Sequence, residues 1–231
     1  MGSIVVRRLL TWPPVQRCLA SMVALLGTIT MCVASPDLDR VVELALARYG
    51  VDAARTVDTW RDLVERNRDL PEREKLELVN DFFNHSVDFE QDPVVWGRTD
   101  YWATPLETLG RGQGDCEDFS IGKYVTLGLL GVPIERLRIT YVRAETGLSG
   151  SGIVQAHMVL AYYPEPGAEP VILDNLVGEL RPASRRPDLK PVFGFNSQGL
   201  WIAGRPASSD PTARLSRWRD LLRRMNEEGL N

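Results

Sequence analysis

The sequence contains few cysteines and few histidines. Three cysteines and two histidines occur among 231 residues. Cys18 and Cys32 lie in an apolar N-terminal segment, so the rest of the chain carries one cysteine, Cys116. A disulfide needs two cysteines, which excludes a disulfide-stabilised fold for that part. One cysteine and two histidines also disfavour a zinc site, because they could not build one and still serve catalysis.

Long hydrophobic runs and an excess of positive charge are also absent beyond residue 34. No later segment is apolar for long enough to predict a membrane-spanning helix. The formal net charge of the whole chain is −4, which gives no reason to expect nucleic acid as a partner. The hydrophobic content of 44% and charged content of 25% are those of an ordinary globular protein.

The first 35 residues have a different character. They contain three arginines and no acidic residue, and Cys18 to Ala34 is a run without charge. A basic start, an apolar stretch and small residues at its end predict a signal peptide over residues 1–35, cut near Ala34 or Ser35. A retained membrane anchor is the alternative, because 17 residues is close to the shortest length that spans a bilayer.

The remaining chain predicts helices first and an antiparallel sheet later, an α+β fold. A helical subdomain is predicted over 36–86, a catalytic core over 87–205 and a C-terminal helical segment over 206–231. The predicted helices are 38–49, 54–68, 72–84, Cys116 to about Leu130, and 211–228. The predicted strands are 137–144, 154–163 and 170–175, with a glycine-serine turn over 147–152.

Cys116 has the sequence context of a nucleophile. Glycines precede it at alternate positions, and a helix is predicted to begin beside it. A helix N-terminus lowers the pKa of a thiol, and its unpaired N–H groups can stabilise an oxyanion. A lone thiol in an exported protein is also a candidate reactive group, although a buried, inert cysteine is the alternative.

His157 and Asp174 are the candidate partners of Cys116. His157 lies within one predicted strand and Asp174 at the end of the next, so both side chains can meet if these strands are antiparallel neighbours. The order cysteine, histidine, aspartate then supplies a nucleophile, a base and a group that orients the base. Each residue alone also has a structural interpretation. His85, which precedes the cysteine, is the competing base.

Three acidic residues flank the thiol. Asp115, Glu117 and Asp118 would raise the pKa of Cys116, which opposes its activation. Acidic residues in the first turn of a helix are favoured by the helix dipole, which is one explanation. The other is that their oxygens bind a hard cation such as calcium, with Asp115 and Glu117 pointing away from the thiol. The residues alone leave both open.

These motifs resemble the bacterial transglutaminase-like cysteine proteinases. The resemblance is carried by Asp-Cys-Glu-Asp-Phe at 115–119, Gln-Ala-His-Met-Val at 155–159 and Leu-Asp-Asn at 173–175. Further similar stretches are 79–84, 100–105 and 181–186. Together they extend from about residue 40 to 203.

The resemblance implies a papain/transglutaminase-like core with a Cys116–His157–Asp174 triad. It implies calcium dependence, with Asp115 and Glu117 at the calcium-linked positions and Asp118 as a further candidate. It also implies a periplasmic endopeptidase that cleaves a large surface adhesin near its N-terminus, at a paired-alanine site, and so promotes biofilm dispersal. An inner-membrane cyclic di-GMP receptor is the implied inhibitor. Amide transfer on the same triad and a non-catalytic binding module are the alternative functions.

Overall fold

The computed structural model describes residues 36–146, 153–202, 205–208 and 210–230. The predicted signal peptide and the predicted turn at 147–152 lie outside these ranges. The helices are α1 Leu38–Tyr49, α2 Val51–Arg66, α3 Glu72–Ser86, α4 Asp92–Val95, α5 Pro105–Arg111, α6 Cys116–Leu129, α7 Pro211–Arg214 and α8 Ser216–Glu228. The strands are β1 Asp88–Phe89, β2 Gln113–Gly114, β3 Leu137–Thr146, β4 Ile153–Tyr162, β5 Val171–Leu173, β6 Arg181–Pro182, β7 Leu189–Phe195, β8 Leu200–Ile202 and β9 Arg205–Ser208.

Helices α1, α2 and α3 follow the predicted apolar spacing, and each buries one face. The bounds of α1 are those predicted. Helix α2 begins at Val51 rather than residue 54, because Gly50 adopts a φ of 93° that ends α1 and allows the next helix to start at once.

A seven-stranded sheet forms the second half of the fold. Its strand order is β6-β5-β4-β3-β7-β8-β9, and every neighbouring pair is antiparallel. The predicted α+β class is therefore confirmed. Strands β7, β8 and β9 were not predicted from the sequence, because they are short or interrupted by Pro191, Gly194 and Pro206 and lack a clear alternation.

Helix α6 lies at the centre of the molecule. It packs on β3 and β4 and also contacts α3 and α5. Every residue from Asp118 to Leu127 is buried, so this helix has no solvent-facing side beyond its ends. This packing fixes the position of Cys116, the first residue of α6, against the sheet.

The C-terminal segment differs from its prediction. The helix predicted over 211–228 is divided into α7 and α8 at Leu215, which has extended backbone angles and packs against the core. Residues 206–208, predicted within the C-terminal helical segment, belong to strand β9 instead. Packing of Leu215 against the core interrupts the local helical pattern. Among the described helices, none is long and apolar enough to cross a membrane.

Candidate active site

Cys116 opens helix α6 beside a cleft of about 480 Å³. Asp115 is the N-cap, and with Asp118 it forms a capping box that holds the first turn. Glycine is needed at position 114, because a Cβ atom there would lie 2.8 Å from a carboxylate oxygen of Asp118. The local sequence therefore places the thiol, half-buried, at the N-terminus of α6 beside the cleft.

His157 lines the same cleft and is joined to Asp174. Strands β4 and β5 pair antiparallel with Leu160 opposite Leu173, so Asp174 follows the end of β5 close to His157. The His157 Nε2 atom lies 2.8 Å from Asp174 Oδ1, and both side chains are buried. Because Nε2 is engaged by the carboxylate, Nδ1 is the ring nitrogen that can accept the proton of Cys116.

Asp174 is held in its ionised form. Burial alone would raise its pKa, but hydrogen bonds from His157 and from the Leu176 N–H, together with Arg186, lower it to about 2. The Arg186 Nη2 atom lies 2.8 Å from Asp174 Oδ2 as a buried ion pair. A carboxylate in this state can fix the histidine tautomer and stabilise an imidazolium.

His85 lies elsewhere. Its Nδ1 is 2.7 Å from the carbonyl oxygen of Asp81 within α3, and its side chain lines a separate open cavity with Glu77 and Asp81. The cleft beside Cys116 is lined by His157 and not by His85. Of the two histidines, the structure therefore brings His157 to the thiol.

Glu117 does not point away from the thiol as expected. Its Oε2 accepts a hydrogen bond from Cys116 Sγ at 3.0 Å. The two residues are consecutive in the first helical turn, and the longer glutamate side chain folds back over its neighbour. Burial raises the pKa of Cys116, the carboxylate of Glu117 raises it further, and a main-chain hydrogen bond from Met158 lowers it. The carboxylate thus opposes formation of the thiolate.

The flanking acids belong to a larger carboxylate cluster. Two groups have carboxylate oxygens within 4.8 Å of one another: Asp92 with Asp100 and Glu117, and Asp92 with Asp115 and Asp118. Asp92 is the first residue of α4 and Asp100 lies in the irregular segment between α4 and α5; neither was predicted from the sequence. Asp100 lies in a stretch that carries the family resemblance, but Asp92 has no spacing that would have indicated it.

Asp92 supplies an observation that favours a cation. Its Oδ2 accepts the Tyr101 N–H, whereas its buried Oδ1 has no hydrogen-bond partner among the described residues. Burial and the nearby charges of Glu117 and Asp100 raise the pKa of Asp92 to about 6. Burial and neighbouring carboxylates likewise raise the pKa values of Asp115 and Asp118. Arg217 pairs with Asp100 at 2.7 Å and offsets part of the negative charge of the cluster. An oxygen-only set of acidic side chains of this kind fits calcium.

Asp118 has a second role within this cluster. It is buried, and its two oxygens accept the N–H groups of Ala103 at 2.8 Å and Asp115 at 3.4 Å. These bonds hold the start of α6 against the segment before α5. Asp118 is fully buried, whereas Asp115 and Glu117 are partly exposed and line the cleft.

Comparison with known proteins identifies the class. Residues 55–187 match the family described as bacterial transglutaminase-like cysteine proteinase, and the chain belongs to this family. Among solved structures it is similar to LapG of Legionella pneumophila, with 41% identity and a TM-score of 0.70, over 81% of this chain and 97% of that one.

Two further structures of the same relative bear on the site. A calcium-bound form of Legionella pneumophila LapG is 42% identical, with a TM-score of 0.70, over 81% of this chain and 98% of that one. An EGTA-treated form is 41% identical, with a TM-score of 0.71, over 81% and 97%. These likenesses confirm the predicted transglutaminase-like fold. A comparison with curated proteins gave no significant match.

Proposed function

We propose that this protein is a calcium-dependent cysteine endopeptidase that acts through Cys116, His157 and Asp174. The observation that carries the proposal is the buried His157–Asp174 pair, 2.8 Å apart, in the cleft that also contains the Cys116 thiol. Membership of a cysteine proteinase family supports the same reaction class. The chain order cysteine, histidine, aspartate agrees with a nucleophile, a base and an orienting carboxylate.

The reaction proceeds through an acyl-enzyme. The Cys116 sulfur attacks the scissile carbonyl carbon while its proton passes to His157 Nδ1, and the main-chain N–H of Cys116 at the start of α6 stabilises the oxyanion. The tetrahedral intermediate collapses to a thioester as the imidazolium protonates the leaving amine. Water, deprotonated by His157, then attacks the thioester, and the thiol is regenerated with release of the new carboxyl group. Asp174 orients the ring throughout.

Calcium is the proposed cofactor of this site. Asp115 and Glu117 would hold it, together with Asp92 and Asp100, while Asp118 stabilises the first turn of α6 and contributes to the negative charge. When bound, the ion supplies positive charge that offsets the carboxylates beside the thiol. The unpartnered Asp92 Oδ1 and the calcium-bound structure of the Legionella relative support this assignment.

The substrate and location rest on the family resemblance. We propose that the protein acts in the periplasm after export by its N-terminal segment. The proposed substrate is a large surface adhesin, cleaved near its N-terminus at a paired-alanine site, so that its release promotes biofilm dispersal. An inner-membrane receptor for cyclic di-GMP is the proposed inhibitor.

A cleavage assay tests the proposed reaction. An N-terminal adhesin fragment from the same bacterium is incubated with wild type, Cys116→Ala and His85→Ala, each with calcium and with excess EGTA. Wild type and His85→Ala should cleave only with calcium, whereas Cys116→Ala should lose cleavage by a factor above about 10³ and keep its circular dichroism spectrum.

Three outcomes would contradict the proposal. Cleavage by Cys116→Ala would exclude the thiol as nucleophile, and undiminished cleavage in excess EGTA would exclude the metal requirement. Incorporation of an added primary amine into the fragment without cleavage would identify amide transfer instead.

A further inference from the structure

The carboxylate of Asp174 is held from the side opposite His157. Arg186 follows the short turn after β6, and its side chain is buried. Its Nη2 atom lies 2.8 Å from Asp174 Oδ2 as an ion pair and donates a hydrogen bond to Asp188 Oδ2 at 2.8 Å. A second hydrogen bond joins Arg186 Nε to Asp188 Oδ1 at 3.0 Å. Asp188 therefore holds the guanidinium through Nε and Nη2, and the same Nη2 atom lies beside the Asp174 carboxylate.

The main chain of Asp174 is held by a separate network. The Asn84 side-chain amide donates to the Asp174 carbonyl oxygen at 2.9 Å. The Asn84 Oδ1 atom accepts a hydrogen bond at 2.8 Å from Lys123, which is buried in α6, the helix that begins with Cys116. The backbone of Asp174 is thus tied to the cysteine-bearing helix. Its carboxylate orientation depends on the side-chain contacts, that is, on His157, the Leu176 N–H and Arg186.

The two oxygens of the Asp174 carboxylate have different partners. His157 and the Leu176 N–H donate to Oδ1, whereas Arg186 is the group beside Oδ2. Without Arg186, the buried Oδ2 would lose its compensating charge, and the carboxylate would gain stability by rotating or by binding a proton. Either change would weaken the Nε2–H bond that fixes the His157 tautomer.

We propose that Arg186 is a positioning residue, whose ion pair keeps Asp174 charged and directs Oδ1 at His157. This inference rests on the proposed catalytic function and assigns a role to a residue outside the Cys116–His157–Asp174 set. Arg186 acts through Asp174 and does not line the cleft. Its loss should therefore slow the chemical step and leave substrate binding almost unchanged.

The first test needs no substrate. The chain has two histidines, so ¹⁵N-histidine NMR of the calcium-loaded protein gives a simple spectrum. Wild type should show a downfield Nε2–H proton for His157, and Asp174→Asn should lose it. Arg186→Gln should shift that proton upfield or broaden it by exchange. Arg186→Lys should restore part of the shift. Arg185→Gln, a change of the exposed neighbouring arginine, should leave the spectrum as in wild type.

The second test is kinetic. Arg186→Gln should lower kcat by about 10- to 100-fold with KM within about twofold, because misorientation of a catalytic group affects the transition state. Arg186→Lys should recover part of the loss. In an Asp174→Asn background, Arg186→Gln should cost less than about twofold, because its effect passes through the missing carboxylate.

The results separate this inference from the proposed function. An unchanged His157 resonance in folded Arg186→Gln would overturn the positioning role. So would a fall in kcat on adding Arg186→Gln to Asp174→Asn that is as large as its fall in the wild-type background. If Arg186→Gln does not fold, Arg186→Lys decides: wild-type kcat and spectrum would overturn the role, and a kcat loss at constant KM with a shifted resonance would support it. If wild type cleaves no adhesin fragment, the NMR comparison still tests Arg186.

Discussion

Asp174 is a buried carboxylate that remains ionised because three groups compensate it. Burial raises its pKa, but the His157 hydrogen bond, the Leu176 N–H and Arg186 outweigh burial and lower the value to about 2. The pKa of an aspartate in an unfolded chain is about 3.9, so folding favours the ionised form. The resulting stability is present in full above about pH 4 and is lost as pH falls toward 2.

Asp174→Asn should therefore destabilise the protein in a pH-dependent way. At pH 7 we expect a loss of about 2–4 kcal/mol in the free energy of unfolding, because Arg186 also loses its buried partner. The difference from wild type should shrink as pH falls from 4 to 2, measured by urea unfolding. Asp188→Asn removes the more exposed carboxylate that pairs with Arg186 and should lower the free energy of unfolding by less at pH 7. A loss that is constant over this pH range would contradict the assignment.

The carboxylate cluster beside Cys116 has the opposite effect on the pH dependence of stability. The pKa of Asp92 is raised to about 6 by burial and by nearby carboxylates, so without a cation its ionisation costs stability as pH rises toward neutral. A cation that binds only the folded protein recovers this loss. The same physical cause links stability to calcium at this site.

Asp92→Asn should reduce the thermal response to calcium. At a calcium concentration 100 times the Kd, wild type should gain about 2.7 kcal/mol over the EGTA-treated protein, a rise of several degrees in Tm. Asp92→Asn should rise less with calcium and be at least as stable as wild type in EGTA at pH 7, because one repelling charge is gone. Differential scanning fluorimetry measures both. Glu43→Gln, an exposed site on α1, should behave as wild type, and an equal calcium shift in Asp92→Asn would exclude Asp92 as a ligand.

At the scale of elements, α6 depends on close approach to α3. Gly122 faces Phe83, and a Cβ atom at position 122 would lie 2.3 Å from the Phe83 Cε1 atom. The Phe83 ring is buried, so it cannot move without displacing its neighbours. Glycine at this position allows the cysteine-bearing helix to contact the helix that carries Asn84.

Gly122→Ala and Gly128→Ala form a matched pair in this helix. Gly122→Ala should lower the free energy of unfolding by about 1–3 kcal/mol because it overpacks the α3–α6 contact. A Cβ atom at Gly128 meets only the end of the Ile134 side chain, at 3.1 Å, and alanine favours the helix. Gly128→Ala should therefore change stability by less than about 1 kcal/mol. Urea unfolding of both variants checks this, and equal losses would contradict the packing explanation.

At the scale of the whole molecule, arginines of α8 contact the segment that carries Asp100 and Trp102. Arg224 contacts the carboxylate of Glu107 and the carbonyl oxygen of Trp102, and its guanidinium lies 4.6 Å from the centre of the Tyr101 ring. Arg217, about two turns earlier in α8, pairs with Asp100 at 2.7 Å. The end of the chain thus supports one wall of the cleft.

Arg224→Met should weaken the whole fold, because it leaves the mostly buried Glu107 carboxylate without a positive partner and removes the hydrogen bond to the Trp102 carbonyl oxygen. We expect a loss of about 2–4 kcal/mol in the free energy of unfolding. Arg223→Met removes exposed ion pairs to Asp220 and Glu227 on the same helix and should cost less than about 0.5–1 kcal/mol. Similar losses in the two variants would show that the Arg224 contacts contribute no more than surface pairs.

Much of this organisation could be predicted from short-range patterns. Apolar spacing predicted α1 to α3, and the glycines before Cys116 predicted the start of α6, because helix ends and burial of one face depend on residues within a few turns. The strand-like runs at 137–144 and 154–163 predicted β3 and β4, which pair antiparallel. The break at Leu215 and strands β7 to β9 could not be predicted, because they depend on what the rest of the fold offers as a packing surface.

The sequence by itself determined the candidate chemistry: one thiol at a glycine-led helix start, two histidines, a cysteine–histidine–aspartate order and acids beside the thiol. Tertiary structure decided which histidine meets the cleft, that Asp92 and Asp100 join the flanking acids, that Glu117 turns toward the thiol, and that Arg186 faces Asp174. The reason is physical: residue types and capping are local properties, whereas these contacts join segments distant in the chain that meet only when the helices pack on the sheet.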